Sequence, residues 1–470
     1  MKASEHPLNF DVVVVGGGSG GYAAARTAAA ARLKVAVVDG AGELGGLCIL
    51  RGCMPTKALL QSSDVLHLAG RAAEFGIRTG RVGFDFKRVM ARKAELIREF
   101  SDYRRGQLAD GRFELLRATA RFVDPHTLEL SDGRRVTAGS FVIATGSRVV
   151  LPPVPGLAEA MAITSDEALE LKRPPKSLVV LGGGAVALEF AQFYARFGSR
   201  VTLIQRSGQV LKDCDADAAK ALQAALVREG IRLFTGTRLT EVRTRSGART
   251  KEVRFEHEGT NRRVGAEEIL VALGRVPNTD GLGLDCAGVK TEGGRVVTDG
   301  AMRSSAPHIF AAGDCTSPHE IVHLAVAQGE IAAHNIAFPH RPRAMDYRLL
   351  IQVVFTEPQV AVAGLTEKGA KERGIDVRAA SYLFADHGKS LILGATDGFV
   401  KLLADPRGGE ILGGCCVGPQ AGELIHEIVA AMAKQMTVAE LAAMPHYHPT
   451  LAEIWTYPAE ELAEVVGGSP

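Results

Sequence analysis

A glycine-rich turn between two apolar strands is the feature that most restricts how this chain can fold. The segment VVVVGGGSGGYAAARTAAA (12–30) predicts a strand, a tight turn and an alanine-rich helix, and KVAVVD (34–39) predicts a second strand. This order is typical of a βαβ dinucleotide-binding unit. Gly16 permits the turn, Gly18 lets the backbone approach a pyrophosphate, and Gly21 lets the helix pack closely. Asp39 ends the second strand, where a carboxylate accepts hydrogen bonds from a ribose.

The same unit occurs a second time in SLVVLGGGAVALEFAQFYARFGSRVTLIQ (177–205), which aligns with the first copy without a gap. Gly182 and Gly184 take the places of the first two functional glycines, and Ala187 takes the place of the third. Two copies predict two dinucleotide sites in one chain. A flavin that exchanges electrons with a nicotinamide is the simplest pair of occupants.

The residues that end the second strand differ between the two copies. Asp39 in the first copy suits a free 2′-hydroxyl, as in FAD or NAD, and would repel a 2′-phosphate. Gln205 and Arg206 replace it in the second copy, and arginine binds phosphate through two parallel hydrogen bonds. The second site therefore predicts NADPH, with NADH as the alternative if Arg206 is only a surface residue.

Length and charge set broad limits on the other possibilities. A chain of 470 residues predicts several domains, and a net charge of +2 gives no basic footprint for nucleic acid. No apolar run approaches the ~18 residues that a membrane helix needs, and the first residues lack the pattern of a secretory signal. We therefore expect an α/β protein of the cytoplasm that binds neither nucleic acid nor a membrane.

The segment GGLCILRGCMPTK (45–57) holds two of the seven cysteines, Cys48 and Cys53. The other five are scattered, so the spacing predicts no metal site. Residues five apart in a regular helix have Cα atoms about 8–9 Å apart, whereas a disulfide needs roughly 4.4–6.8 Å. A bridge requires a break in the helix, and Gly52 permits one. On geometry alone, a disulfide and two separate thiols both remain open.

Three further motifs accompany this segment. They are VIATGS (142–147), IFAAGDC (309–315) and PHYHPTLAEIW (445–455). Together with both glycine turns they make the chain resemble, over essentially its whole length, the class I pyridine nucleotide–disulfide oxidoreductases. That family includes dihydrolipoamide dehydrogenase, glutathione reductase and mercuric reductase, and the chain looks most like the first.

The resemblance implies a fold and a division into domains. It implies an α/β fold with two Rossmann-like dinucleotide-binding domains and a C-terminal α+β dimerisation domain. The expected boundaries are 1–155 for the first part of the FAD domain, 156–278 for the NAD(P) domain, 279–345 for the second, central part of the FAD domain, and 346–470 for the dimerisation domain. It also implies a homodimer with shared active sites.

The resemblance assigns roles to the cysteine pair and to four other residues. Electrons would pass between a nicotinamide, FAD and a Cys48–Cys53 disulfide, with Cys53 nearer the flavin and Cys48 exchanging with substrate. His448 would be the acid–base partner held by Glu453, and Lys57 and Glu189 would form an ion pair beside the flavin. The implied cofactor-binding residues are Gly16, Gly18, Gly21, Asp39, Lys57, Thr145, Gly146, Gly182, Gly184, Ala187, Glu189, Gln205, Arg206, Gly274 and Asp314.

The substrate is less strongly indicated than the chemistry. The expected substrate is a small dithiol or disulfide of the dihydrolipoamide type, which a lipoyl domain could carry, and a glutathione-like disulfide is the alternative. Mercury reduction is disfavoured, because mercuric reductases end in a cysteine pair and this chain ends in EVVGGSP. A docking component of a lipoyl-bearing assembly is the non-catalytic alternative. Arg51 departs from the family segment and is predicted to stabilise a nearby thiolate, unless it pairs with an acid.

Overall fold

The computed structural model describes residues 7–244 and 250–466. The last residues of EVVGGSP, 467–470, lie outside the described part. The contact pattern divides the chain into two compact units. The first comprises Met1–Thr56, Ala91–Val150 and Gly274–Met345, and the second comprises Lys57–Met90, Leu151–Leu273 and Asp346–Pro470. The predicted division into an FAD domain in two parts, an NAD(P) domain and a dimerisation domain stays a prediction.

The described residues form strands and helices that alternate along much of the chain. The strands are β1 (Leu8–Val15), β2 (Val35–Val38), β3 (Glu114–Leu116), β4 (Ala120–Asp124), β5 (Thr127–Leu130), β6 (Arg135–Ile143), β7 (Ser147–Val149), β8 (Ser177–Leu181), β9 (Arg200–Ile204), β10 (Arg232–Phe234), β11 (Thr237–Thr244), β12 (Lys251–His257), β13 (Thr260–Ala266), β14 (Glu268–Val271), β15 (Arg275–Pro277), β16 (Thr291–Glu292), β17 (Arg295–Val296), β18 (Ile309–Ala311), β19 (Ile351–Val354), β20 (Gln359–Gly364), β21 (Arg378–Leu383), β22 (Phe399–Ala404) and β23 (Ile411–Gly418). The α-helices are α1 (Ser19–Ala30), α2 (Gly46–Arg51), α3 (Cys53–Gly70), α4 (Phe86–Leu108), α5 (Ser165–Ala168), α6 (Ala185–Arg196), α7 (Ala216–Arg228), α8 (Val322–Ala337), α9 (Glu367–Arg373), α10 (Gly388–Leu393), α11 (Ala421–Ala433), α12 (Val438–Ala443) and α13 (Thr456–Val465).

The first unit is built on one sheet of seven strands in the order β3-β2-β1-β6-β5-β4, with β18 also paired to β6. Strands β1, β2, β3, β6 and β18 run parallel. Parallel neighbours need a crossover connection, and α1 supplies it between β1 and β2. The Val12–Val15 side chains are buried in this sheet, as their continuous apolar run predicts for a parallel strand.

The second unit contains a smaller parallel sheet in the order β10-β9-β8-β14, with α6 as the crossover between β8 and β9. A separate antiparallel sheet is formed by β11, β12 and β13. The second glycine turn therefore lies, like the first, between a buried parallel strand and the helix that follows it.

The C-terminal part of the second unit is a five-stranded antiparallel sheet in the order β19-β20-β23-β22-β21. Helices α11 and α13 contribute apolar side chains to the same core as this sheet, and Trp455 is fully buried there. Its indole Nε1 donates to the Leu424 carbonyl at 3.2 Å. The predicted fold class, two Rossmann-like parts and a C-terminal α+β part, is confirmed. Among the described residues, no helix is both long and apolar enough to cross a bilayer.

Candidate active site

The first glycine turn is shaped by contacts that leave no room for side chains. Gly16 follows β1 with φ +106°, and a Cβ there would lie 2.4 Å from the Ala144 carbonyl oxygen. A Cβ on Gly21 would lie only 1.8 Å from the Gly16 oxygen. Gly18 caps α1 without a side-chain hydrogen bond, so the first N–H groups of the helix remain available for an anion.

Asp39 lies against this turn. Its Oδ2 accepts a hydrogen bond from the Gly17 amide at 2.9 Å, and its Oδ1 accepts one from the Ala41 amide at 2.8 Å. The Thr145 hydroxyl oxygen, on the neighbouring strand end, is buried and has no hydrogen-bond partner within the described ranges. A side-chain-free cradle, an uncapped helix N-terminus and an unsatisfied hydroxyl together fit the dinucleotide expected at this site.

Gly146 and Gly274 both adopt positive φ values, +70° and +112°, and a Cβ on either would meet no atom within 4 Å. The space that a side chain would fill is therefore open at both positions. The Gly146 carbonyl accepts from the Asn278 amide at 2.9 Å, which ties the turn after β6 to the chain beyond β15. The backbone conformation explains why glycine occupies these positions.

Asp314 is held by Ser147 and two arginines, none of which is predicted as a site residue from the sequence. Its Oδ2 accepts from the Ser147 hydroxyl at 2.6 Å, and Arg275 Nε donates to the same hydroxyl oxygen at 2.8 Å. Arg295 donates to the Asp314 carbonyl at 3.0 Å. Ser147 closes the VIATGS motif, which was its only sequence signal. The two arginines lie in segments without a recognised pattern.

The second glycine turn repeats the first with one difference. Gly182 has φ +119°, and a Cβ there would lie 2.3 Å from the Ala272 carbonyl oxygen. The Ala144 carbonyl oxygen excludes a Cβ at Gly16 in the same way. Position 187 carries alanine, and its Cβ lies 3.7 Å from the position of a Cβ on Gly182. The second turn therefore leaves room for the methyl group that the first turn excludes. Gly184 caps α6 without a side-chain hydrogen bond.

Gln205 lies at the end of β9, packed against the second turn. A Cβ on Gly183 would come within 2.9 Å of the Gln205 side chain. The next residue, Arg206, is exposed and makes no ion pair or hydrogen bond with the part of the chain that the structure describes. The structure thus places a neutral amide beside the turn and an available guanidinium next to it.

The cysteine segment contains the expected break in the helix. Helix α2 ends at Arg51, Gly52 has non-helical angles (φ −132°, ψ −116°), and α3 begins at Cys53. A Cβ on Gly52 would lie 3.2 Å from the Cys48 Cα atom, so the chain passes close to Cys48 just before it reaches Cys53. Both cysteines are half-buried, and Arg51 is exposed.

Arg104, on α4, adds a positive charge to the surroundings of Cys48. Its guanidinium carbon lies 4.1 Å from the centre of the Tyr22 ring. Burial lowers the pKa of Arg104, while Tyr22 and Cys48 act in the opposite direction. A cation within electrostatic range of a cysteine favours its thiolate. No sequence motif identified this residue.

Lys57 and Glu189 form the expected ion pair. The Lys57 ammonium lies 2.8 and 3.0 Å from the two carboxylate oxygens, and Glu189 is 2% exposed. The same carboxylate accepts from the Phe355 amide at 3.0 Å, and the ammonium lies 4.6 Å from the centre of the Phe355 ring. Two donors and an aromatic face therefore fix the buried charge.

His448 and Glu453 are also paired as expected. His448 Nδ1 lies 2.9 Å from Glu453 Oε2. The imidazole is 80% exposed, whereas the carboxylate side chain is 10% exposed. The neighbouring His446 instead contacts Glu427 at 2.6 Å and the Met444 carbonyl at 3.0 Å, which supports the loop. The arrangement leaves the second ring nitrogen of His448 available for proton transfer.

Comparison with known proteins shows which family the chain resembles over its length. A sequence profile described as pyridine nucleotide-disulphide oxidoreductase matches residues 10–329, and the profile of that family's dimerisation domain matches residues 350–459. The dihydrolipoyl dehydrogenase of Geobacillus stearothermophilus is 36% identical over 441 residues, covering 93% of this chain and 92% of that enzyme. The mercuric reductase of Bacillus cereus is 34% identical over 426 residues, covering 90% of this chain and 67% of that enzyme. The crystal structure of LpdA from Mycobacterium tuberculosis matches with a TM-score of 0.86 at 28% identity, covering 96% of this chain and 99% of that one.

Proposed function

The chain belongs to the pyridine nucleotide–disulphide oxidoreductase family, and from this premise we propose that it is a dihydrolipoamide dehydrogenase-type enzyme that uses FAD and NADPH. The proposed reaction exchanges electrons with a small dithiol or disulfide. The observation that carries the proposal is the contact between the exposed His448 imidazole and the buried Glu453 carboxylate. That pair is suited to moving a proton to and from a substrate sulfur.

The two cysteines would carry out the exchange as a disulfide pair. In the reduced protein, the Cys48 thiolate attacks one sulfur of the substrate disulfide, and the other sulfur leaves as a thiolate. His448 gives that leaving sulfur its proton. Cys53 then attacks the Cys48 sulfur, releases the second substrate thiol and closes the Cys48–Cys53 disulfide. The electrostatic interaction between Arg104 and Cys48 supports the thiolate that begins this sequence.

The remaining residues of the proposed site would hold the cofactors. When bound, FAD supplies a two-electron relay between the pyridine nucleotide and the disulfide. Its dinucleotide part would lie on the turn at Gly16 and the N-terminus of α1, with Asp39 toward a ribose. The Lys57–Glu189 pair offers a fixed ammonium whose charge is balanced by a buried carboxylate.

The choice of NADPH rests on Gln205 and Arg206. Asp39 repels a phosphate at the equivalent place in the first turn, whereas the second turn offers an amide and an exposed, unpaired guanidinium among the described residues. NADH remains the alternative that measurement of both nucleotides distinguishes.

We also propose a homodimer in which His448 serves the cysteines of the second copy. The dimerisation-domain match supports association, and the exposure of His448 and Tyr447 supports a role toward another chain. Leu391 and Ile392 on α10 are more than half exposed, as expected for an apolar surface that a second copy covers.

Anaerobic reduction of the purified protein by NADPH and by NADH tests this proposal. We expect faster reduction by NADPH, long-wavelength absorbance from a thiolate beside the flavin, and reoxidation by lipoamide. Cys48→Ser should keep the absorbance and lose reoxidation, whereas Cys53→Ser should lose both. Reoxidation by glutathione disulfide or Hg(II) but not by lipoamide would contradict the proposed substrate class. Turnover of free lipoamide would exclude a purely docking role.

A further inference from the structure

The Glu453 carboxylate lies between two imidazoles rather than beside one. Its Oε2 lies 2.9 Å from His448 Nδ1, and its Oε1 lies 3.3 Å from Nε2 of His387. The His387 side chain is fully buried, in contrast to the exposed His448. The second contact is longer and outside hydrogen-bond geometry. Catalytic contacts are often long before substrate binds and tighten in the complex.

His387 is held in place from several sides. Its backbone amide donates to the Phe384 carbonyl at 3.2 Å, and its carbonyl accepts from the Leu391 amide at 3.1 Å, which fixes it at the start of α10. Its Nδ1 lies 2.8 Å from Ser390 Oγ. The Tyr457 ring meets the imidazole edge to face, with centroids 6.3 Å apart. The ring therefore has a single orientation, with Nε2 toward Glu453.

Hydrogen-bonding capacity assigns the proton on this ring. A carboxylate only accepts, so Nε2 must be the protonated nitrogen where it faces Glu453. In a neutral ring Nδ1 is then the acceptor, and the Ser390 hydroxyl donates to it. Burial lowers the pKa of His387 and outweighs the opposing effect of Glu453, so the ring is neutral at pH 7.

We propose that His387 is a positioning residue that acts on His448 through Glu453. In this proposal the 3.3 Å contact from His387 Nε2 to the far oxygen of Glu453 tightens to a hydrogen bond when substrate binds, and the N–H then shares the charge of the carboxylate. Glu453 is therefore held toward His448 by a second donor. Removing that donor would leave the whole carboxylate charge facing His448, which favours the protonated imidazole in the variant. The His448 ring is then oriented for proton exchange with substrate. The inference rests on the proposed function, because it matters only if His448 exchanges protons with substrate.

The groups around this pair that could titrate are few within the described residues. Tyr457 stacks on Tyr382 with ring centroids 4.0 Å apart, and the Tyr382 hydroxyl donates to the Asp386 carbonyl at 3.2 Å. Burial raises the pKa of Tyr382, so it is uncharged at neutral pH. Asp386, next to His387 in the chain, and the contact between His446 and Glu427 are left intact in the test.

The test compares His387→Gln, which keeps a donor at the position of Nε2, with His387→Met, which has similar length and no donor. Full-length variants are reduced with NADPH, and their reoxidation by lipoamide is followed from pH 5.5 to 9. For His387→Met we expect reoxidation to slow about 3- to 10-fold at pH 7, below the 10²–10⁴-fold effect of losing a general base. The pH profile of its reoxidation rate should shift to higher pH by about 0.5–1 unit, while the rate of flavin reduction by NADPH stays unchanged. His387→Gln should keep the wild-type profile.

Each outcome decides the question. A wild-type profile for His387→Met overturns the proposal, and so does an equal shift for His387→Gln, because packing alone would then explain both. If His387→Met does not retain FAD, Ser390→Ala decides. Ser390→Ala removes the donor to His387 Nδ1, so the pH profile of reoxidation should shift to higher pH by less than expected for His387→Met. An unchanged profile overturns the proposal. His448→Gln is measured in parallel: if it exchanges at the wild-type rate, the proposed function itself fails. If it loses exchange while His387→Met is unaffected, only the role of His387 fails.

Discussion

Lys401 offers the sharpest test of how the second unit is stabilised. This lysine lies on β22 and is 4% exposed, yet it contacts three carboxylates. Its ammonium lies 2.7 Å from Asp217 Oδ2, 3.0 Å from Asp215 Oδ2 and 2.5 Å from Glu367 Oε2. Burial opposes the charged form, but hydrogen bonds to the three acids outweigh it and raise the pKa of Lys401. We predict that Lys401→Met strongly destabilises the protein.

The burial of each acid determines how much free energy of unfolding Lys401→Met should cost. Removing one partner of a buried ion pair costs about 3–5 kcal/mol, because the other charge remains buried. Asp217 and Glu367 are half exposed, so water can replace the ammonium there, and exposed pairs contribute about 0–1 kcal/mol. Asp215 is buried but still accepts from the backbone amides of Lys368 at 3.0 Å and Glu367 at 3.3 Å. We therefore expect a loss of about 2–4 kcal/mol in the free energy of unfolding.

Thermal unfolding of the FAD-loaded protein provides the measurement. A cooperative unit of this size loses about 2–4 °C per kcal/mol, so a loss of about 2–4 kcal/mol should lower Tm by about 4–16 °C at pH 7.5. In the variant the acids repel one another and take up protons more readily, so the loss should shrink toward pH 5. The wild-type contribution of Lys401 is full below its ordinary pKa of 10.5 and is lost only as pH rises through its raised value.

Two matched variants control this experiment. Lys371→Met replaces an exposed lysine on α9 and should change the free energy of unfolding by less than about 0.5 kcal/mol. Lys401→Met combined with Asp215→Asn removes both buried charges and should recover part of the loss. A Tm for Lys401→Met within 1–2 °C of wild type, on the order of the Lys371→Met effect, would refute the reasoning, as would a loss independent of pH.

Three further predictions concern the nucleotide sites and pH. Arg206→Glu should lower the NADPH to NADH ratio of kcat/KM at least ~10-fold, since it replaces a phosphate-binding guanidinium with a repelling carboxylate; an unchanged ratio would remove Arg206 from the site. Gly21→Ala should lower Tm by several degrees even without FAD, because the added Cβ would lie 1.8 Å from the Gly16 oxygen. Gly18→Ala should leave Tm unchanged, because the nearest atom to its Cβ lies 3.9 Å away. An equal fall in Tm for both variants would contradict this prediction. Burial raises the pKa of Asp64 from 3.8 to about 6, so the folded state holds its proton more tightly and this group reduces stability as pH rises from 4 to 6. The stability of Asp64→Asn relative to wild type should therefore rise over that range, and a flat difference would contradict the direction of the shift.

The parts of the fold that the sequence predicts are those set by local backbone requirements. Gly16 and Gly182 need positive φ values and close approach to a neighbouring carbonyl, and both requirements appear in the sequence as glycine after an apolar run. The break at Gly52 is predictable in the same way, because one permissive residue lies directly before Cys53. Such features depend on a few adjacent residues, so one sequence is sufficient to find them.

The parts that the sequence does not predict depend on contacts between distant elements. His387 reaches Glu453 only because α10 and the segment before α13 meet in the C-terminal part, and nothing near His387 in the sequence marks it. Lys401 lies within an apolar strand, and lysine is almost never fully buried unless it is paired, so the strand sequence alone does not predict a buried ammonium. The charges that compensate it come from Asp215, directly before α7, and from residues of α7 and α9, which no local pattern links to β22.

The two glycine turns also show how one local motif can serve two cofactors. In the first turn Gly21 packs on the Gly16 carbonyl, and Asp39 accepts from the Gly17 amide, so the carboxylate is fixed beside the turn. In the second turn Gln205 packs along Gly183 instead. A fixed carboxylate excludes a phosphate from the space beside it, whereas an amide leaves that space neutral. Apart from Ala187 in place of Gly21, the two turns share the same glycine pattern between strand and helix. We therefore expect the residue that ends the second strand to set the nucleotide preference of each site, which measurement of both nucleotides tests.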